Sequence, residues 1–263
     1  MKGESQRTGF IILSVLFAER RIISMKKLYE KNELSFSLVW IIAYVVLFSM
    51  ADSFSGDLGI EKIITAPVSV CFSLVLFVWI SRNSLLEKYG LCPFKGEWKC
   101  YLYFIPLLLI MTTNLWNGVA VNCSAAEVVL HILSMLCVGF IEEVIFRGLL
   151  FKAICKSSVK QAILISSITF GIGHIVNLLN GADVLPTLLQ ICYATAIGFL
   201  FTIIFYKGKS LLPCIVTHSV VNSLSIFSVQ SSQTFRIAVA AALCVVSARY
   251  AIWILKKAEN HIS

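Results

Sequence analysis

Charged residues are scarce in this chain. Only 14% of its 263 residues are Asp, Glu, Lys or Arg, whereas 58% are hydrophobic. A soluble domain usually carries about 25% charged residues, so this composition could not cover the surface of one. We therefore expect a multi-pass protein of the cell membrane. At roughly 20 residues per span plus short loops, the length allows about eight helices and leaves no room for a second, soluble domain.

Several motifs that carry known chemistry are also missing. The nine cysteines are scattered without a CxxC pair, which argues against a cysteine-based zinc site and against a disulfide framework. There is no HExxH helix of a metalloprotease and no GxSxG turn to present a serine nucleophile. The only aspartates, Asp52, Asp57 and Asp183, all lie between apolar runs, which excludes a catalytic aspartate pair inside the bilayer.

Eight apolar runs follow a polar and basic segment at residues 1–34. We place them at about 35–51, 63–81, 100–120, 125–150, 161–181, 184–206, 210–228 and 233–255. Lys and Arg cluster before the first run and after every second run, so they set topology and do not form a stripe for nucleic acid. The predicted fold is all-α, with about eight transmembrane helices at residues 35–263. Residues 1–34 and both termini are predicted to be cytoplasmic.

Three charged residues stand in the second half of the fourth run. Glu142, Glu143 and Arg147 each carry an insertion cost of about 2.5–3.5 kcal/mol at membrane depth, so they indicate a function. Arg147 follows Glu143 at the i,i+4 spacing of a salt bridge, whereas Glu142 points about 100° away from Glu143. Glu142 is thus a candidate general base, or alternatively a carboxylate that reaches the cytoplasmic interface. Glu143 and Arg147 are expected to form a buried ion pair.

The fifth run contributes His174, which follows Phe170-Gly-Ile-Gly. The glycines at 171 and 173 would let another backbone approach or let the helix bend. By simple counting, His174 lies deeper than Glu142. Helix tilt, a bend at these glycines or a later start of the helix must close that gap.

The seventh run contributes His218 and Asn222, again at i,i+4 spacing on one helix face. Two hydrogen-bond donors aimed at one point can stabilise a developing oxyanion. Alternatively, such a pair can form hydrogen bonds that hold neighbouring helices together. His131, in the fourth run, is expected to make an interior polar contact. Glu142 with two histidines suits an acid/base site in which a histidine orients an attacking water, and the same set could bind zinc.

These residues resemble a known signature. Glu142-Glu143-Val-Ile-Phe-Arg147, Phe170-Gly-Ile-Gly-His174 and His218-Ser-Val-Val-Asn222 are similar to the three motifs of the CAAX prenyl protease 2-like family. These membrane endopeptidases, also called CPBP or Abi proteins, are related to Ras-converting enzymes and bacteriocin-immunity proteins. The resemblance covers about residues 125–225.

The resemblance implies a role for each motif residue. Glu142 would activate water, His174 would help to hold it, and His218 with Asn222 would form the oxyanion hole. Glu143, Arg147 and Phe170 would shape the site or engage substrate. The mechanism implied is glutamate-dependent and needs no cofactor, with a divalent metal such as zinc as the alternative.

The expected function is therefore an endopeptidase that cleaves a peptide bond near the cytoplasmic leaflet. Its partners would be the lipid bilayer and a peptide or membrane-protein substrate. A non-catalytic immunity or partner-binding protein is the main alternative. A transporter or proton-relay protein comes third, since intramembrane Glu and His also suit ion pathways.

Overall fold

The computed structural model describes residues 25–94 and 104–259, and in these the protein is helical throughout. The eight helices named here are α1 Glu33–Asp57, α2 Thr65–Arg82, α3 Ile105–Met111, α4 Ala125–Glu142, α5 Val159–Gly173, α6 Val184–Gly208, α7 Leu212–Ser223 and α8 Gln233–Glu259. The described part of the chain has no strand, only an isolated antiparallel bridge between Val119 and Ser228. The all-α prediction is confirmed.

Six of the described helices are long and apolar enough to cross a membrane. They are Glu33–Asp57, Thr65–Arg82, Ala125–Cys155, Val159–Leu179, Val184–Gly208 and Gln233–Lys257. A seventh apolar helix, Leu212–Phe227, is shorter. The start of the third predicted run and most of the 1–34 segment lie outside the described residues, so the count of eight and the orientation stay predictions.

Helix α4 begins where its sequence provides a capping box. The Ser124 hydroxyl accepts from the Glu127 backbone N–H, and the Glu127 side chain accepts from the Ser124 backbone N–H. Each side chain thereby satisfies a backbone donor that has no partner within the helix. This local signal fixes the start of the helix that carries the acidic pair.

The helix does not end at Glu142 but changes type. Residues Glu143–Phe151 form a π-helix, and Lys152–Cys155 complete a continuous 31-residue span. π-Helical turns are rare in proteins, and those that occur are often found at functional sites. Every residue from 141 to 151 is buried, so this segment lies at the centre of the bundle.

The continuous helix also sets the surroundings of Glu142. The helix extends to Cys155, a few residues past the predicted end of the fourth run, and Glu142 lies near its middle with only 8% of its surface exposed. Burial among other helices favours an interior carboxylate over one that reaches the cytoplasmic interface.

Polar contacts gather the basic loops at one end of the bundle, which we call the basic end. Glu33 Oε1 accepts from Lys88 Nζ at 2.6 Å and from Lys156 Nζ at 2.9 Å. Burial alone would lower the pKa of Lys88, but hydrogen bonds to Glu33 and Tyr29 outweigh it, and the pKa is raised. Lys88 therefore stays charged at neutral pH and joins α1 to the loop after α2.

The remaining loops meet at the opposite end, which we call the non-basic end. His131 Nδ1 lies 2.9 Å from Glu61 Oε1, which joins the α1–α2 loop to the start of α4. Asn114 Nδ2 donates to the backbone oxygen of Val221 at 2.6 Å, which joins the segment after α3 to the end of α7. The contacts thus divide the loops into two groups. These are the same two groups that the distribution of Lys and Arg in the sequence predicts.

A close crossing of α4 and α7 positions the acidic pair against His218. A Cβ added at Gly139 would lie 2.7 Å from the backbone N of Ser219, closer than real Cβ atoms come. The absence of a side chain at Gly139 therefore sets the distance between the two helices.

We expect Gly139→Leu to force these helices apart and to lower the free energy of unfolding by about 1–3 kcal/mol. Thermal unfolding in detergent measures the effect. Gly56→Leu is the matched control, because a Cβ at Gly56 meets nothing within 4 Å. Equal stability of the two variants would contradict the role of the crossing.

Candidate active site

Glu142 is held from two sides by residues of other helices. Its Oε1 accepts from the Tyr44 hydroxyl of α1 at 2.5 Å, and its Oε2 lies 3.3 Å from His218 Nε2. Oε2 is buried and has no hydrogen-bond partner in the described part of the chain. One carboxylate oxygen is thus anchored, while the other is left to react.

Glu143 organises a second, fully buried set of contacts. Its Oε1 accepts from Arg147 Nη1 at 3.1 Å, so the predicted ion pair is confirmed. The same oxygen accepts from His218 Nδ1 at 2.8 Å. The Arg147 guanidinium lies 3.9 Å from the centre of the Phe170 ring, a cation–π distance. Glu143 therefore fixes both the arginine and the imidazole.

His218 connects the two carboxylates, which determines where its protons lie. A carboxylate only accepts, so Nδ1 carries a proton for Glu143 and Nε2 faces Glu142. His218 therefore joins the Glu142 carboxylate to the buried Glu143–Arg147 ion pair.

His174 lies across the cavity, bonded to α6. Helix α5 ends at Gly173, and His174 Nδ1 lies 3.3 Å from Gln190 Nε2. Gln190 Oε1 accepts in turn from Asn177 Nδ2 at 2.9 Å, which orients the amide. His174 nevertheless lines the same cavity as Glu142, so the depth gap expected from counting is closed.

A close crossing of α5 and α6 helps to place His174. A Cβ added at Gly171 would lie 2.8 Å from the backbone oxygen of Ile191. The predicted close approach at Gly171 is therefore confirmed, and it brings the end of α5 against the part of α6 that carries Gln190.

Asn222 and His131 lie between the site and the non-basic end. The Asn222 backbone oxygen is 3.3 Å from His131 Nε2 and accepts from Ser225 Oγ at 2.7 Å. The other ring nitrogen of His131 faces Glu61. The predicted interior contact of His131 is thus confirmed, and it supports the turn that presents Asn222.

One cavity of about 620 Å³ brings the candidate residues together. Its lining includes Tyr44, Glu142, His174, His218 and Asn222. Glu143 and Arg147 are fully buried and do not line it, so they shape the site and do not face a substrate. Among residues 25–94 and 104–259, no group of three or more His, Cys, Asp or Glu side chains is arranged to hold a metal.

Sequence reasoning missed two of the polar contacts, those of Tyr44 and Gln190. Tyr44 lies in an apolar run where a tyrosine is ordinary, and nothing in its spacing marks it as a partner of Glu142. Gln190 was detectable in principle, because an amide near the start of a membrane span needs a partner. Its link to His174 depends on the α5–α6 crossing, which spacing alone does not reveal.

We expect Tyr44→Phe to lower kcat/KM about 10- to 100-fold without unfolding the protein. The change removes a hydrogen bond to a charged group, which is worth about 1.5–3 kcal/mol. Cleavage rate of an identified membrane substrate measures it. Tyr206→Phe, near the basic end of α6, is the matched control, and equal rates in the two variants would show that Tyr44 does not hold the base.

Comparison with known families agrees with this geometry. Residues 124–224 match the family model described as type II CAAX prenyl endopeptidase Rce1-like. Over these residues the chain is similar to that family. The match covers all three motifs and confirms the resemblance seen in the sequence. No curated protein and no solved structure matches the chain. The matched segment comprises α4 with its π segment, α5, α6 and α7.

Proposed function

We propose that this protein is a membrane endopeptidase of the CAAX protease type, in which Glu142 activates the attacking water. The observation that supports this best is the free Oε2 of Glu142. It is buried, 3.3 Å from His218 Nε2, and belongs to a residue that lines a cavity large enough for a peptide segment. A carboxylate in that position is within reach of a water and of the groups that stabilise the reaction.

The cleavage step can be written with the residues of the cavity. Glu142 takes a proton from water as the water oxygen bonds to the peptide carbonyl carbon. His218 Nε2–H and the Asn222 amide donate to the oxyanion that forms, and such donors are worth about 10²–10³-fold in rate each. The proton on Glu142 then passes to the departing amine as the C–N bond breaks. His174, held by Gln190, orients the water.

The buried pair beneath the site keeps His218 ready to donate. Glu143 accepts from His218 Nδ1, which turns Nε2 toward the cavity, and Arg147 balances the Glu143 charge. In the proposed step Nδ1 donates to Glu143 and Nε2 donates to the oxyanion, so the step requires a proton on both ring nitrogens of His218. We place the protein in the cell membrane, with a peptide or membrane-protein segment as substrate.

A comparison of membrane peptides tests the proposal. Cells that carry the protein should yield cleavage products that are absent from cells carrying Glu142→Gln at equal abundance. A non-catalytic immunity or partner-binding protein would instead give the same peptides in both and would keep its protective effect. An ion-pathway protein would change flux and leave the peptides unaltered.

A further inference from the structure

The cavity extends in one direction only. Each loop of the non-basic end contributes to its lining, through Lys62, Asn117, Asn180 and Ser231. The helical residues of the lining come mostly from the parts of α1, α5, α6, α7 and α8 that lead to this end and from the middle of the 31-residue span that contains α4. Among the described residues, no loop of the basic end lines the cavity. The mouth therefore lies among the non-basic loops.

The opposite side of the cavity is closed by protein. Phe146, Phe170 and Phe201 line its inner end, and Arg147 packs behind Phe170. All residues from 141 to 151 are buried, and they continue α4 from the site toward the basic end. A peptide that reaches Glu142 from the basic loops would have to displace this packed segment.

Charge assigns the two ends to the two sides of a membrane. Among the described residues, the non-basic end holds only two basic residues, Lys62 in its loops and Arg236 in the first turn of α8, whereas Lys and Arg gather at the basic end, including Lys88, Lys156 and Lys209. Excess Lys and Arg in short loops marks the cytoplasmic side. Lys62 is moreover neutralised by Asp52, at 2.8 Å.

We infer that the site is entered from the extracytoplasmic side, and that the substrate is a membrane-anchored polypeptide whose cleavable segment lies there. The inference rests on the proposed function for the word substrate, whereas the direction of entry rests on the cavity and on the distribution of Lys and Arg, neither of which depends on catalysis. It replaces the expected cleavage near the cytoplasmic leaflet, because Glu142 lies mid-span and faces the opposite mouth. A prenylated cytosolic C-terminus would meet only the closed, basic end.

The mouth is suited to an extended peptide. Asn114, Asn117, Asn180, Ser228 and Ser231 line it with uncharged donors and acceptors. An extended chain presents backbone N–H and C=O groups that such amides and hydroxyls can bond. Deeper in the cavity, the lining consists mainly of apolar and aromatic side chains. The preferred substrate is therefore a segment with a hydrophobic residue next to the cleaved peptide bond.

Thiol labelling of the full-length protein tests the direction of entry. Val221→Cys introduces a thiol in the cavity, Asn180→Cys one at the mouth, and Ser157→Cys one at the basic end. The probe is a small, membrane-impermeant methanethiosulfonate ammonium reagent, added either to intact bacterial cells or to inside-out vesicles. The parent chain, treated identically, gives the background of the native cysteines.

We expect Val221→Cys and Asn180→Cys to react in intact cells and to stay at background in inside-out vesicles, with Ser157→Cys showing the reverse. Val221→Cys reacting only from the side of Ser157→Cys, or from neither side, would overturn the inference. So would reaction of Asn180→Cys in vesicles alone. Labelling needs no catalysis, so these outcomes are independent of whether Glu142→Gln abolishes cleavage.

Discussion

Glu142→Gln is expected to lower the cleavage rate by a factor of about 10²–10⁴, the usual contribution of a general base. The amide keeps the shape of the carboxylate and can still accept from the Tyr44 hydroxyl, so the helix positions should persist. It cannot take a proton from water. The loss should therefore appear in kcat, measured on a substrate found in the membrane peptide comparison, and thermal unfolding should change little.

The control for this change is Glu30→Gln, which removes a carboxylate at the exposed basic end, 4.0 Å from Lys26. That variant should cleave at the parent rate. If Glu142→Gln retained cleavage within about threefold of the parent, Glu142 would not be the base.

Arg147→Leu is expected to lower the free energy of unfolding by about 3–5 kcal/mol, because it leaves the Glu143 carboxylate in the core without its arginine counter-charge. Both side chains of this pair have no exposed surface. Reversible unfolding in mixed detergent micelles measures the change. In the double variant Glu143→Gln with Arg147→Leu, much of the loss should be recovered, since no buried charge is left without a partner.

An exposed pair supplies the comparison. Lys26→Leu breaks a contact between side chains that are 58% and 60% exposed, and such surface pairs contribute about 0–1 kcal/mol. Equal destabilisation by Lys26→Leu and Arg147→Leu would mean that burial of the Glu143 pair is not what stabilises the core.

Spacing predicted the parts of the site that lie within one helix. The Glu143–Arg147 pair followed from i,i+4 geometry, and it forms even though the segment is a π-helix. The divergence of Glu142 from Glu143 also agrees with their separate hydrogen-bond partners, Tyr44 and Arg147, although both carboxylates face His218. Charge alternation along the chain anticipated the two sets of loops that the contacts gather at opposite ends.

Contacts between helices could not be predicted from the sequence. Tyr44 meets Glu142 across 98 positions of sequence, and nothing local distinguishes it from other tyrosines in membrane spans. His218 was expected to form an oxyanion hole with Asn222, but its Nδ1 contact with the second carboxylate, Glu143, was not anticipated. The change to π-helix at Glu143 and the direction in which the cavity opens depend on how all the helices pack.

A chamber with a single entrance also constrains how turnover ends. Both fragments must depart by the route along which the intact chain arrived, since Phe146, Phe170 and Phe201 close the far wall. A short soluble fragment diffuses away. A fragment that is still anchored in the bilayer must leave the cavity by moving within the membrane before the next substrate can enter. For membrane-anchored substrates, product release and not peptide-bond cleavage would therefore limit the turnover number.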